Sequence, residues 1–232
     1  MSRLDKKKQK AIIRFCLARL KKRGGFAATP YLPPTIEDTY FGINVLCALK
    51  APFPKEETLC FLRSKGAHPL APRLAFFLSF SLKLLGEEFK PLIQFSPPPE
   101  LEDSFFLRLL GKKVKPQKPL SPEPTLKELF FYAHLKPRAA KRYLPYVLAS
   151  QNPDGGFGFY PHTTSFLENA FFAVKYLALF GHPPRDPEGL KEYVMACFRQ
   201  EAFARSPKGV PFLDATFYAL EILHFISSYR PG

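Results

Sequence analysis

One pattern limits this chain more than any other: a glycine-rich turn ending in phenylalanine, followed at a fixed distance by an acid that opens an aromatic run. Gly24-Gly25-Phe26 is followed eleven residues on by Glu37, and Gly155-Gly156-Phe157 by Glu168 at the same distance. Phe203 lacks the glycines but is again followed eleven residues later by an acid, Asp214. The text after each acid agrees: Glu37-Asp-Thr-Tyr-Phe-Gly-Ile, Glu168-Asn-Ala-Phe-Phe-Ala-Val and Asp214-Ala-Thr-Phe-Tyr-Ala-Leu. Two aromatics, a small residue and an aliphatic recur. Phe157 and Phe203 lie 46 residues apart, the spacing of a helix-pair repeat. Weaker copies stand at Arg73-Leu-Ala-Phe-Phe and Glu102-Asp-Ser-Phe-Phe.

Periodicity makes the segments around these turns helical. Asp5 to Lys22 carries Ile12, Phe15, Cys16 and Leu20 on one stripe with Lys and Arg opposite. Apolar helices are expected over residues 36–49, 70–85 and 213–227, a long aromatic one over 164–180, amphipathic ones over 55–64 and 187–199, and further helices over 101–110, which is short, 125–135 and 138–149. No strand alternation stands out. The 25 prolines fall mainly between these segments, where proline ends helices and fixes loops. Residues 111–124 form the longest non-helical stretch, read as a degenerate loop within one domain spanning 1–232.

Each unit thus reads as a polar outer helix, a tight corner and an apolar inner helix. Glycine permits the positive φ of the corner. The acids Glu37, Glu168 and Asp214 sit where the helix dipole favours negative charge, and their recurrence in every good unit points first to a structural role. Inner helices apolar all round must be enclosed, and a ring of inner helices inside outer ones does that. The expected fold is all-α, an α/α toroid of about five helix pairs, either open or completed by irregular segments.

Gln151-Asn-Pro-Asp-Gly-Gly-Phe-Gly158 and the helix after it resemble the repeat of protein prenyltransferase β subunits and squalene/terpenoid cyclases. The resemblance is best over residues 139–228 and fair over 12–49. It implies an α/α toroid with a central aromatic cavity for isoprenoids. Prenyltransferases of this kind hold a catalytic zinc with Asp-x-Cys at the start of an inner helix and a later His. Here Asp214-Ala215-Thr216 has Thr in place of Cys, and the only later histidine, His224, is on the same helix. No zinc is therefore expected, and Mg²⁺ is expected only together with a diphosphate. The family's diphosphate-binding Arg-x-x-Lys is matched by Arg205-Ser-Pro-Lys208, although farther from the acid than the family places it. The rings of Phe171, Phe172, Tyr176, Phe217 and Tyr218 are candidates to line the cavity. The cyclases' Asp-x-Asp-Asp acid is missing, and their Gln-Trp repeats need tryptophan, which this chain lacks.

The formal net charge is +14, which favours an anionic ligand, membrane surface or protein partner. No nucleic-acid module is recognisable. Cys16, Cys47, Cys60 and Cys197 form no C-x-x-C pair and sit in apolar settings, consistent with free thiols in a reducing compartment. With no apolar run of membrane-spanning length and no secretory signal pattern, a cytoplasmic protein with at most peripheral membrane contact is expected. Three functions stay open: an isoprenoid- or lipid-binding scaffold without the zinc site, a transferase working through Arg205, Lys208 and Asp214, and a structural subunit that binds an anionic partner.

Overall fold

The computed structural model describes residues 4–114 and 120–229. Eleven α-helices are present among them: α1 (Lys6–Leu17), α2 (Ile36–Ala48), α3 (Lys55–Lys65), α4 (Pro72–Leu84), α5 (Leu101–Leu109), α6 (Leu126–Leu135), α7 (Pro137–Ala140), α8 (Leu144–Ala149), α9 (Leu167–Leu179), α10 (Pro187–Ala196) and α11 (Leu213–Ser228). Two two-residue strands, β1 (Phe198–Arg199) and β2 (Ala202–Phe203), pair antiparallel. The chain falls into two compact units, and the division lies in the 111–124 stretch, of which residues 115–119 lie outside the described residues.

In the N-terminal unit, residues 6–114, apolar α2 packs on α4 and α4 on α5, with α1 against α2 and α3 against α4. In the C-terminal unit, α6 packs on α9 and α9 on α11, with α8 against α9 and α10 against α11. Where the spacing suggests about five helix pairs, the described residues hold six apolar helices, four of them preceded by a helical segment: α1, α3, the α7–α8 stretch and α10. The stretch before α9 is not one helix. Pro137 and Pro145 each open a short piece, and Lys141–Tyr143 between them is a 3₁₀ turn, because proline supplies no N–H to a continuing helix.

Three corners share one hydrogen-bond plan, and it explains the interval of eleven. The N–H of the residue nine after each corner phenylalanine donates to that phenylalanine's carbonyl: Thr35 to Phe26 at 3.0 Å, Phe166 to Phe157 at 3.0 Å and Phe212 to Phe203 at 3.1 Å. That residue caps the next helix, so the acid two places on always falls in the first turn. Phe26, Phe157 and Phe203 are fully buried. Gly24 and Gly155 adopt φ of +79° and +82°, values that L residues rarely take.

The two glycine corners also seat the next polar helix. A Cβ on Gly155 would lie 2.0 Å from the Gly189 carbonyl oxygen in the first turn of α10, and one on Gly24 would lie 1.9 Å from the Glu57 carbonyl oxygen in the first turn of α3. Gln151 strengthens the first of these contacts. Its amide donates to the Gly155 and Asp186 carbonyls at 3.0 and 2.8 Å and accepts the Asp186 N–H at 3.0 Å. Asp186 is the N-cap of α10.

Candidate functional site

Every apolar helix opens with the same local text: a charged residue, two others, then two aromatics. The six are Glu37/Tyr40-Phe41, Arg73/Phe76-Phe77, Glu102/Phe105-Phe106, Lys127/Phe130-Phe131, Glu168/Phe171-Phe172 and Asp214/Phe217-Tyr218. Residues three apart share a helix face, so each charge stands one turn from the first ring. The second ring is always buried, between 3% and 7% exposed. The first ring is half-buried in Tyr40, Phe76, Phe130, Phe171 and Phe217, with Phe105 the exception.

The second rings wedge between helices. In the N-terminal unit Tyr40 stacks on Phe77 at 4.2 Å, and Phe76 meets Phe106 at 5.5 Å. In the C-terminal unit Phe130 meets Phe172 at 5.5 Å, Phe171 meets Phe217 at 5.9 Å, and Phe171 meets Tyr218 at 4.5 Å. Ring pairs of this kind add about 0.5–1.5 kcal/mol beyond area burial.

Of the five rings expected to line a cavity, Phe171 and Phe217 lie on the half-buried face. Phe172 and Tyr218 are interhelical packing. Tyr176 corrects the expectation: it is fully buried and donates its hydroxyl to the Ala140 carbonyl at 2.5 Å. It ties α9 to α7. Burial also pushes its ionisation up, because the phenolate would be stranded from water.

Charges cluster at the helix starts. In the C-terminal unit Arg205 bonds Asp214 at 2.7 Å, and its guanidinium lies 4.8 Å from the Phe212 ring. Burial opposes the Arg205 charge, but the charge and hydrogen bond of Asp214 together with the Glu168 and Tyr218 side chains outweigh it, so the net shift is upward. Lys208, the other half of the diphosphate candidate, is exposed. Lys127 lies 5.8 and 5.9 Å from the rings of Phe131 and Phe172. One turn beyond the first rings, Lys175 pairs with Glu221 at 2.5 Å. In the N-terminal unit Arg73 bridges Glu37, through a hydrogen bond, and Glu102 at 3.7 Å. Glu37 and Asp214 are thus engaged by arginines, and Glu168 faces Arg205 electrostatically. The sequence marks Arg73 as the lead of a weaker copy but not as the partner of Glu37 and Glu102, and it does not mark Lys127.

The residues do not fit a zinc ion of the kind that Asp-x-Cys binds. Thr216 is fully buried; its hydroxyl accepts the Phe203 N–H at 3.3 Å and donates to the Phe212 carbonyl at 2.7 Å. Thr39 does the same between Phe26 and Thr35, at 2.9 and 2.6 Å. Both threonines fasten a corner to its helix. Asp214 is held by Arg205 and by the Ala215 N–H at 2.7 Å. His224 is exposed on α11, and His134 lies against Phe130 with Nδ1 2.9 Å from the Phe130 carbonyl. Among the described residues no three His, Cys, Asp or Glu gather as a metal site. His162 is exposed on its corner loop, at φ +67°.

The middle corner has Ala170 where the others have threonine, and Asp154 does the fastening instead. Its Oδ1 accepts from the Gly156 N–H at 3.0 Å and from Ser165 Oγ at 2.8 Å. Asn152 Nδ2 adds bonds to the Thr163 carbonyl and Ser165 Oγ at 2.6 and 2.9 Å.

Among the described residues no helix is long and apolar enough to cross a membrane. No curated protein matches the chain. Among solved structures it is similar to Candida albicans protein geranylgeranyltransferase-I complexed with GGPP, at 13% identity and a TM-score of 0.40, over 94% of this chain and 90% of that one. The model of the prenyltransferase alpha-alpha toroid domain matches residues 1–69 and 125–209, well over half of the chain. The mostly helical architecture and the repeated corners agree with that match, and the chain belongs to the prenyltransferase alpha-alpha toroid domain family.

Proposed function

We propose that this family member binds an isoprenoid or similar lipid without catalysing transfer, and serves as a binding or interaction scaffold. The observation that carries the reading is the pairing, on five of the six apolar helices, of a charge with a half-buried ring one turn away. Apolar surface beside a few placed polar groups is the usual composition of a ligand site. The commitment of Thr216 to its corner supports the non-catalytic half of the reading. A transferase would need Arg205 and Lys208 for a diphosphate, and Arg205 already spends its guanidinium on Asp214, which weighs against that alternative.

Native mass spectrometry with and without geranylgeranyl diphosphate tests the reading. A one-to-one adduct is expected, weakened at least tenfold by Phe171→Ala with Phe217→Ala, with no zinc mass and no transfer to a cysteine peptide. A protein that ignores the ligand at high micromolar concentration refutes lipid binding. Turnover that Arg205→Ala abolishes refutes the non-catalytic reading.

A further inference from the structure

The first corner carries a second feature, independent of any cavity ligand. The first 23 residues hold ten Lys and Arg against a single acid, Asp5. Lys6, Lys7 and Lys8 even open α1, whose first turn has no acid, although cations are disfavoured at a helix N-terminus. At the corner itself an open groove of about 860 Å³ is lined by Lys21, Lys22, Arg23 and Lys65 together with Tyr31 and Leu32, and no carboxylate side chain lines it. A depression that shares Pro34 and Lys65 with the groove does contain Glu37 and Asp38, so the groove's freedom from acids is local.

Tyr31 and Leu32 are 95% and 51% exposed. They stand on a loop stiffened by Pro30, Pro33 and Pro34. The Lys21 ammonium holds that loop by donating to the Pro30 carbonyl at 2.5 Å. An aromatic-aliphatic pair on a rigid tip, rimmed by cations, matches an anionic bilayer: tyrosine favours the headgroup level, and each basic residue near the surface adds attraction to acidic lipids. An acidic peptide or nucleic acid would use the cations but would have less use for an exposed leucine between prolines.

We propose that the Lys21–Arg23 segment and the Tyr31-Leu32 tip dock this protein peripherally on anionic lipid membranes, with the two apolar side chains entering the headgroup region. Flotation of the full chain with phosphatidylcholine vesicles, with and without phosphatidylserine, tests this. Binding is expected only with phosphatidylserine and should fall as salt rises. Reversing Lys21, Lys22 and Arg23 to Glu should weaken it by about 100-fold, from about fivefold per cation removed. Tyr31→Ser with Leu32→Ser, exposed changes that leave folding intact, should weaken it about tenfold or more while salt dependence remains. Because the chain has no tryptophan, Tyr31→Trp supplies a single reporter whose emission should shift to the blue on vesicles, whereas Val210→Trp, 65% exposed in the other unit, should not. Absence of binding to anionic vesicles at about 0.15 M salt overturns the proposal and leaves the groove to an acidic macromolecule. So does binding indifferent to the Tyr31/Leu32 pair, or an equal shift from Val210→Trp. None of these readouts depends on geranylgeranyl diphosphate.

Discussion

Adding one methyl group at Gly155 should cost far more than adding it at Gly181, and the difference isolates what the corner does. Both glycines lie in the C-terminal unit with positive φ, +82° and +65°. An L residue in that region loses about 1–2 kcal/mol, and the unfolded chain returns about 0.4–1 kcal/mol because alanine is less free than glycine. These terms are common to both sites, so Gly181→Ala should cost about 1 kcal/mol. Its new Cβ meets nothing within 4 Å. At Gly155 the Cβ would stand 2.0 Å from the Gly189 oxygen, 2.1 Å from its carbon and 2.8 Å from the Leu190 nitrogen. All three are backbone atoms of α10, and none can swing aside like a side chain. Overpacking of this kind adds about 1–3 kcal/mol, bringing Gly155→Ala to about 3 kcal/mol. Urea denaturation followed by circular dichroism, accepted only where the slopes agree between variants, measures both. Equal costs, within about 0.5 kcal/mol, would refute the claim that the corner is packed backbone to backbone. Gly24→Ala against Gly86→Ala repeats the comparison in the other unit, with 1.9 Å to the Glu57 oxygen against open space.

Other expectations follow from the same geometry. Thr216→Val leaves the buried Phe203 N–H without its partner and should cost about 1–3 kcal/mol in the same assay. Gln151→Leu should cost a similar amount, since it cuts two bonds between the middle corner and the Asp186 N-cap of α10 and one within the corner, to the Gly155 carbonyl. Thiol labelling at pH 8 should modify exposed Cys60 first, while Cys16 and Cys197, both buried and each pushed up to about 12, should react only in urea. Burial is the leading cause of both shifts, and raised thiols keep their protons in the fold. Their contribution to stability is therefore full below pH 9 and lost as pH rises toward 12. A denaturation midpoint that did not fall above pH 9 would count against that burial. Breaking the half-exposed Lys175–Glu221 pair with Lys175→Met should change stability by no more than about 1 kcal/mol.

The corners were legible in the sequence because few residues other than glycine accept their backbone angles and because the phenylalanine has to be buried. The interval of eleven was visible, but its cause, a backbone bond to the residue nine places on, was not. The copy at Lys127-Glu-Leu-Phe-Phe escaped notice because no glycine corner precedes it and it follows closely on the proline-rich 111–124 stretch, which reads as a degenerate loop. Tyr176 was assigned to the wrong side for a geometric reason. Glu168, Phe171 and Lys175 follow one stripe of α9, and Tyr176 follows Phe172 at a spacing of four on the neighbouring stripe, with a hydrogen-bond partner on α7. Arg73 and Arg205 stood out in the sequence, as the lead of a weaker copy and as half of an Arg-x-x-Lys pair, but their carboxylate partners did not, since these come from another helix or from across a loop.

The way each glycine corner seats the following polar helix bears on how the protein opens. Gly24 touches α3 while belonging to the turn between α1 and α2, and Gly155 touches α10 while belonging to the turn before α9. A helix pair therefore cannot loosen alone: releasing it uncovers the first turn of the next. Amide hydrogen exchange within a unit should accordingly proceed in blocks larger than one pair. The Phe26 and Phe203 amides, locked under their threonines, should exchange together with the helices on either side of their corners.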